Sequence, residues 1–373
     1  MQVRTGNAVV GPRLEVGADG KLRLSWMERL DEGATLKFVT LADGGWGATE
    51  DVVTDARMFV NWADLSSVNA LPDGTLVASW LRYSAPQTYS YDVMLAYSGD
   101  GGSTWTEPVA AHDDGTPTEH GFVSISGTDD GAALLWLDGR DTGNPPSRNV
   151  LDSSMTLRAA RISPDGVRSG EQLVDDSVCD CCQTDVAVAA AGPIAVYRNR
   201  TGDEIRDIYV TRFENGRWQA GTALHEDRWQ ISACPVNGPA IAADGEFVAV
   251  AWFTAANQRP LVQLKFSTDG GRTFGPPLEV AAGRNKGRVG VGLVGEDLVA
   301  VSWVENGPDD SDLVMLRLVT RDGRPGPAVT IGSSKLLRMF PQLASTGDAL
   351  VAAWTDADGD GTRLVVRRVA VGP

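Results

Sequence analysis

Four cysteines are the residues whose types and spacing bear most directly on chemistry. Cys179, Cys181 and Cys182 crowd into one Cys-x-Cys-Cys segment, and Cys234 follows in Ser-Ala-Cys-Pro. Thiolates select soft ions, so these four cysteines read as a site for copper(I) or zinc, with His120 and Met339 as further donors. Cys-x-Cys-Cys is not a zinc-finger spacing, and an even cysteine count in a secreted chain equally fits a disulfide framework. Adjacent Cα atoms lie about 3.8 Å apart, below the usual disulfide range of about 4.4–6.8 Å, so Cys181 and Cys182 do not pair easily. Cys234 bonded to one member of the triplet is easier. A reactive thiol activated by Arg198 or His225 is the third reading.

Charged and polar groups fall at similar places. Arg140, Asp141, Asp185, Arg198 and Arg206 are the candidates for catalysis, and Trp62, Asp64, His120, Arg140, Arg198, Arg206 and Asn237 are those for ligand binding. Arginines of this number would make a binding mouth locally cationic, although the chain carries a net charge of −16. That total disfavours nucleic acid and anionic membrane surfaces as partners, which leaves a small molecule or a glycan. No apolar run reaches the roughly 18 residues that membrane insertion needs, and no basic-then-apolar leader opens the chain. The expected location is extracytoplasmic, periplasmic or secreted; the oligomeric state is not legible.

The elements that must position these residues come from a repeat. Trp26, Trp80, Trp136, Tyr197, Trp252, Trp303 and Trp354 each close a short apolar run, at intervals of 54, 56, 61, 55, 51 and 51 residues. A period of this length marks a radial or solenoidal array. Within each unit, apolar runs of five to eight residues are separated by Asp-Gly or Gly-Gly pairs, as in PAIAADG, EFVAVAW and PLVQLKFSTDGG, and read as antiparallel strands. The expectation is an all-β, seven-bladed β-propeller over residues 1–373 as one domain, with a six-bladed ring plus a hairpin as the competitor. The last unit stops one strand short, so the N-terminal strand QVRTGNAVV is expected to complete it. The segments entering each inner strand then converge on one face. They include Asn61–Asp64, Glu119–Phe122, Cys179–Asp185, Ser232–Asn237, Lys286–Arg288 and Arg338-Met339, and they make the axial mouth between blades three and five the candidate pocket.

Ser98-Gly-Asp100-Gly-Gly-Ser-Thr-Trp105 and Ser267-Thr-Asp269-Gly-Gly-Arg-Thr-Phe274, with Ser163-Pro-Asp165-Gly as a shorter copy, match the Asp-box pattern Ser-x-Asp-x-Gly-x-x-Trp/Phe. The chain thereby resembles the sialidase-like (BNR-repeat) propellers. The boxes themselves read as turns on the face opposite the mouth. The resemblance implies glycan chemistry, with Arg140, Arg198, Arg206 and Arg288 to clamp a carboxylate, Asp64, Asp141 or Asp185 as acid, and Tyr83, Tyr89, Tyr91 or Tyr197 as nucleophile. The family's Arg-Ile-Pro entry motif is absent, with only Gly11-Pro12-Arg13-Leu14 in its place, and a non-catalytic glycan- or protein-binding module is the alternative. Asp356-Ala-Asp358-Gly-Asp360-Gly361 reads as an acidic turn rather than a calcium loop, because Arg367 stands where the loop's closing Glu belongs. His112 and His225 read as solvated at outer-strand exits.

Overall fold

The computed structural model describes residues 3–6, 8–42, 45–142, 154–336, 339–346 and 349–370. Arg338, one of the entry residues, lies outside them. Seven antiparallel sheets follow one another along the chain. Their inner strands are Val9–Val16, Ser67–Ala70, His120–Thr128, Asp185–Ala189, Ala240–Asp244, Asn285–Val294 and Gln342–Thr346. These surround an axis, so the fold is a seven-bladed all-β propeller. The one helical element among the described residues is the turn Ala256–Gln258.

The repeated aromatic residue sits on the second strand of every blade and is at most 1 % exposed in all seven. These strands read as continuous apolar runs because both of their faces pack against neighbouring blades. Phe247–Thr254 is buried along its whole length. Each indole or phenol that finds a partner does so at a strand edge: Trp136 Nε1 donates to Asp138 at 2.7 Å, Trp303 Nε1 to Glu305 at 2.8 Å, and Tyr197 Oη to Asp175 at 2.6 Å.

The seventh sheet holds three strands, Gln342–Thr346, Ala349–Asp358 and Gly361–Ala370. The N-terminal segment does reach it, through a parallel bridge between Ala8 and Thr362 and a hydrogen bond from Thr362 Oγ1 to the Val9 carbonyl at 2.6 Å. Val9 onward then turns into the inner strand of blade one. Ring closure is therefore a short clasp, because most of the N-terminal apolar run is spent on the first blade.

The two Ser-x-Asp-x-Gly segments fold alike. Ser98 Oγ accepts from Gly102 N at 2.8 Å and Asp100 Oδ1 from Thr104 N at 2.9 Å; Ser267 and Asp269 repeat this with Gly271 and Thr273 at 2.9 and 2.9 Å. Gly271 has φ +80°, and a Cβ there would stand 2.1 Å from Ile194 Cδ1, so only glycine fits. Ser267→Ala would leave a buried Gly271 N–H without an acceptor, and is expected to lower stability by about 1–2 kcal/mol in urea unfolding. The acidic segment at Asp356 is a hairpin with Gly359 at φ +58°, and Asp356 accepts from Lys335 N and Arg363.

Candidate functional site: a sulfur centre beside a sealed axial mouth

The entry segments converge as expected, but they close the mouth instead of lining an opening. Gln183 Nε2 in blade four donates to the Ala63 carbonyl of blade two at 2.7 Å, and its Oε1 accepts from Gly238 N of blade five at 3.0 Å. Asn237 Nδ2 donates to the Lys286 carbonyl at 3.2 Å, while its Oδ1 accepts from Arg288 N at 2.6 Å. Arg288 in turn donates to the Met339 carbonyl at 3.1 Å and lies 5.0 Å over the ring of Trp62, which packs on Phe340. Trp62 and Asn237, both expected to bind a ligand, thus join blades, and Arg288 lies over one face of the Trp62 indole. Inner strands one, three and six carry a bulge at their entries, after Val10, Gly121 and Gly287. Phe122 and Arg288 take φ +51° and +55° there, a cost that the belt of contacts holds in place.

Below the belt runs an axial cavity of about 590 Å³, lined by all seven inner strands. Its charged groups are Arg13, Glu15 and Asp185, with Arg13 Nε donating to Glu15 at 2.6 Å. Burial pushes Asp185 up to about 6, against the pull of Arg13. Asp64 sits at the belt, where its Oδ2 accepts from Phe122 N at 2.8 Å, and burial pushes it up to about 7. Arg13, in the segment that stands in place of the Arg-Ile-Pro motif, is the arginine in the cavity; it sits just after the bulge at the entry of the first inner strand.

Like Arg288, the other three arginines expected to clamp a ligand are engaged within the protein. Arg198 is 2 % exposed and gives its guanidinium to the carbonyls of Asn237, Arg206 and Phe253 at 2.9, 2.5 and 2.7 Å, with Trp229 4.9 Å below it. Arg206 is fully buried and pairs with Glu204 at 2.8 Å. Arg140 donates to Asp138 through Nε at 2.8 Å and Nη2 at 2.7 Å, and pairs with Glu171 at 2.9 Å. Asp141 is exposed and faces Arg158. Tyr91 is 1 % exposed and donates to Glu119 at 2.5 Å; burial and that carboxylate push its phenol well up, the opposite of an activated nucleophile. Tyr197 is buried, while Tyr83 and Tyr89 are accessible. The sialidase-type clamp is not assembled from the named residues.

The cysteines do come together. Cys181 and Cys234 form a disulfide with Cα atoms 6.0 Å apart, stapling the entry of blade four to that of blade five. Their sulfurs are therefore not thiolate ligands in this state, which corrects the expectation of four equivalent donors. Cys179 and Cys182 are free and buried, with Sγ atoms 2.7 Å apart; Cys179 Sγ lies 3.8 Å from Cys181 Sγ. Arg206 Nη1 donates to Cys179 Sγ at 3.4 Å. Burial opposes a thiolate at Cys179, but the Cys182 S–H and the charges of Arg206 and Arg198 outweigh it and lower that thiol. Burial and the neighbouring sulfur push Cys182 well up. Cys179 is thus the more acidic thiol of the pair. Arg206 is the residue that both sequence readings named for a different purpose; its structural task is to face this sulfur.

His120 does not join the sulfurs. It is fully buried at the start of blade three, stacked 3.6 Å from His112 and flanked by Asp92, Asp114 and Asp138. His112, expected to be solvated, is 6 % exposed, because the strand exit that carries it folds back under Asp114. His225 stays partly exposed beside Asp227.

No protein-family model and no curated protein matches the chain. Among solved structures it is similar to the polysaccharide lyase Uly1, with a TM-score of 0.57 and 9 % identity over 99 % of this chain and 92 % of that one. It is also similar to an α-L-arabinanase of Penicillium chrysogenum complexed with arabinobiose, at 0.53 and 12 % over 97 % and 93 %. A third is the propeller domain of the Trilobed protease from Pyrococcus furiosus, described as having an open velcro topology, at 0.51 and 11 % over 99 % and 99 %. Sialidases are among the similar structures too. The chain shares its propeller fold with a polysaccharide lyase and an arabinanase.

Proposed function

We propose that this protein is an extracytoplasmic propeller that binds a soft metal ion, copper(I), through Cys179 and Cys182. The observation that carries the reading is that Cys179 and Cys182 are free, buried and adjacent, with Arg206 donating to one sulfur; holding an ion would spread the two Sγ atoms beyond their present 2.7 Å. Two thiolates suffice for a soft monovalent ion, whereas the four-coordination of zinc would require Cys181 and Cys234 to be reduced. The guanidinium balances the extra negative charge that a bis-thiolate acquires when both protons leave. The Cys181–Cys234 disulfide suits an oxidising compartment and holds the blade-four entry rigid. Against the glycan-processing alternative stand the internal commitments of Arg140, Arg198 and Arg206.

Anaerobic titration of the protein with copper(I) against a chromophoric chelator is expected to give one equivalent per chain. Cys179→Ser and Cys182→Ser should each weaken retention at least 100-fold, while Cys181 and Cys234 remain cross-linked. Absence of free thiols in the denatured, unreduced protein, together with no copper retained, would overturn the reading. Turnover of a glycoside or sialoside panel would favour the hydrolytic alternative instead.

A further inference from the structure

A second cluster lies between blades two and three, apart from the cysteines. It comprises His112 and His120, which are 6 % and 0 % exposed, together with Asp92, Asp114 and Asp138. His112 Nε2 is 3.6 Å from Asp92 Oδ1, and His120 Nδ1 is 3.7 Å from the same oxygen. His112 Nε2 and His120 Nε2, both buried, have no hydrogen-bond partner. Separations of this size are too long for hydrogen bonds. They match the edge of a tetrahedron whose centre lies about 2.1 Å from each ligand, which is about 3.4 Å. The donors are spaced as ligands that share an ion.

The surroundings fit the same reading. Asp114 Oδ2 stands 2.7 Å from His112 Nδ1 and 3.2 Å from His120 Nε2, on the side of each ring away from Asp92. Asp114 therefore accepts from His112 Nδ1, so that His112 Nε2 turns its lone pair towards Asp92; His120 Nδ1 donates to the Tyr91 carbonyl at 3.3 Å and gives up that proton when it joins the ion. The contact of Asp114 with His112 is the outer-shell arrangement by which metal-binding histidines are oriented and made more basic. Asp138 lies 3.7 Å beyond, held by Arg140.

We propose that Asp92, His112 and His120 bind a zinc-class divalent ion that clamps blade two to blade three, with Asp114 orienting the imidazole of His112. Imidazole and carboxylate donors select borderline ions such as zinc over copper(I), so this site and the sulfur pair take different metals. The two imidazoles stack 3.6 Å apart and 12° from parallel, so sharing an ion requires one ring to turn out of the stack.

The test uses the full chain carrying Cys179→Ser and Cys182→Ser, which removes the thiol pair without touching this cluster. Zinc should bind with one equivalent by equilibrium dialysis and raise the melting temperature. Cobalt(II) substitution should give the visible bands of a nitrogen–oxygen tetrahedral site without sulfur charge-transfer absorption. Asp92→Asn, at a partly exposed position that tolerates the change, and His112→Gln should each reduce zinc affinity at least 10-fold; Asp92→Asn should keep the circular dichroism of the parent. No zinc bound by the folded thiol-free chain, zinc affinity unchanged in Asp92→Asn, or sulfur charge transfer with cobalt would each overturn the proposal. Because the thiols are absent, failure here leaves the copper reading untouched, and failure of copper binding leaves this one untouched.

Discussion

Replacing Arg198 with methionine is expected to destabilise the protein by about 3–4 kcal/mol and to lower its melting temperature by roughly 5–10 °C. The guanidinium is buried and serves three carbonyls, those of Asn237, Arg206 and Phe253, which belong to the entries and exits of blades four and five. Methionine fills much of the volume but leaves all three oxygens in a dry environment without donors, each at a cost of about 1 kcal/mol or more. It also removes the cation from the face of Trp229, 4.9 Å away. Lysine should recover little, since one ammonium cannot span three acceptors that a planar fork reaches together. The same substitution separates the two roles this residue can be given. A ligand-clamping arginine would leave the melting temperature near that of the parent and abolish binding; a structural one lowers the melting temperature first. Thermal and urea unfolding of Arg198→Met and Arg198→Lys, each with its copper(I) retention, measure both quantities.

That distinction marks where the sequence was readable and where it was not. The seven aromatic residues announce seven blades because each blade must bury the same position against its neighbour, so the repeat is a direct image of the packing. Cysteine placement was legible for a related reason: equivalent positions in adjacent units lie side by side, and Cys181 does meet Cys234. Charged residues carry no such image. Arg140, Arg198 and Arg206 occupy the right loops, yet a loop position does not say whether a guanidinium faces solvent or turns inwards to carbonyls. The closed belt at the mouth was hidden as well, since it depends on neutral groups, Gln183, Asn237 and backbone amides, whose types give no warning. His112 was misread because its polar neighbours Asp113 and Asp114 suggest a solvated exit, whereas Asp114 is 7 % exposed and faces the imidazoles. A legible hint existed in the spacing His112-x-Asp114 and Glu119-His120, which places both imidazoles on one strand connection.

The contribution of the buried Asp64 and Asp185 to stability should fall as pH rises from about 4 to about 7, and Asp64→Asn should remove much of that fall. Burial raises Asp64 to about 7 and Asp185 to about 6 in the folded protein, whereas the unfolded chain releases these protons near the ordinary 3.8. Between those values the folded state binds more protons than the unfolded one, so the slope of stability with pH is negative. Above about 7 both states have lost the Asp64 proton and its contribution levels off, with an isolated carboxylate left among apolar groups and opposed only by Phe122 N and Arg13. Asp114 and Asp138 act in the opposite sense. Their folded values are depressed, Asp114 by its imidazole and hydroxyl donors and Asp138 by Arg140 and His120 despite burial, so their contribution is present above the ordinary carboxylate range and lost as pH falls through it. The two trends together place the stability maximum near pH 5. Asparagine at 64 keeps an oxygen for the Phe122 amide 2.8 Å away but has no charge to desolvate. Urea unfolding across pH 4–8 should therefore show Asp64→Asn close to the parent at pH 4. At pH 8 the variant should be more stable by on the order of 4 kcal/mol, at 1.36 kcal/mol per pKa unit. Parallel curves for the two proteins would mean that Arg13 keeps Asp64 ionised throughout, and that the belt over the axial cavity is held by a charge pair instead of a neutral acid.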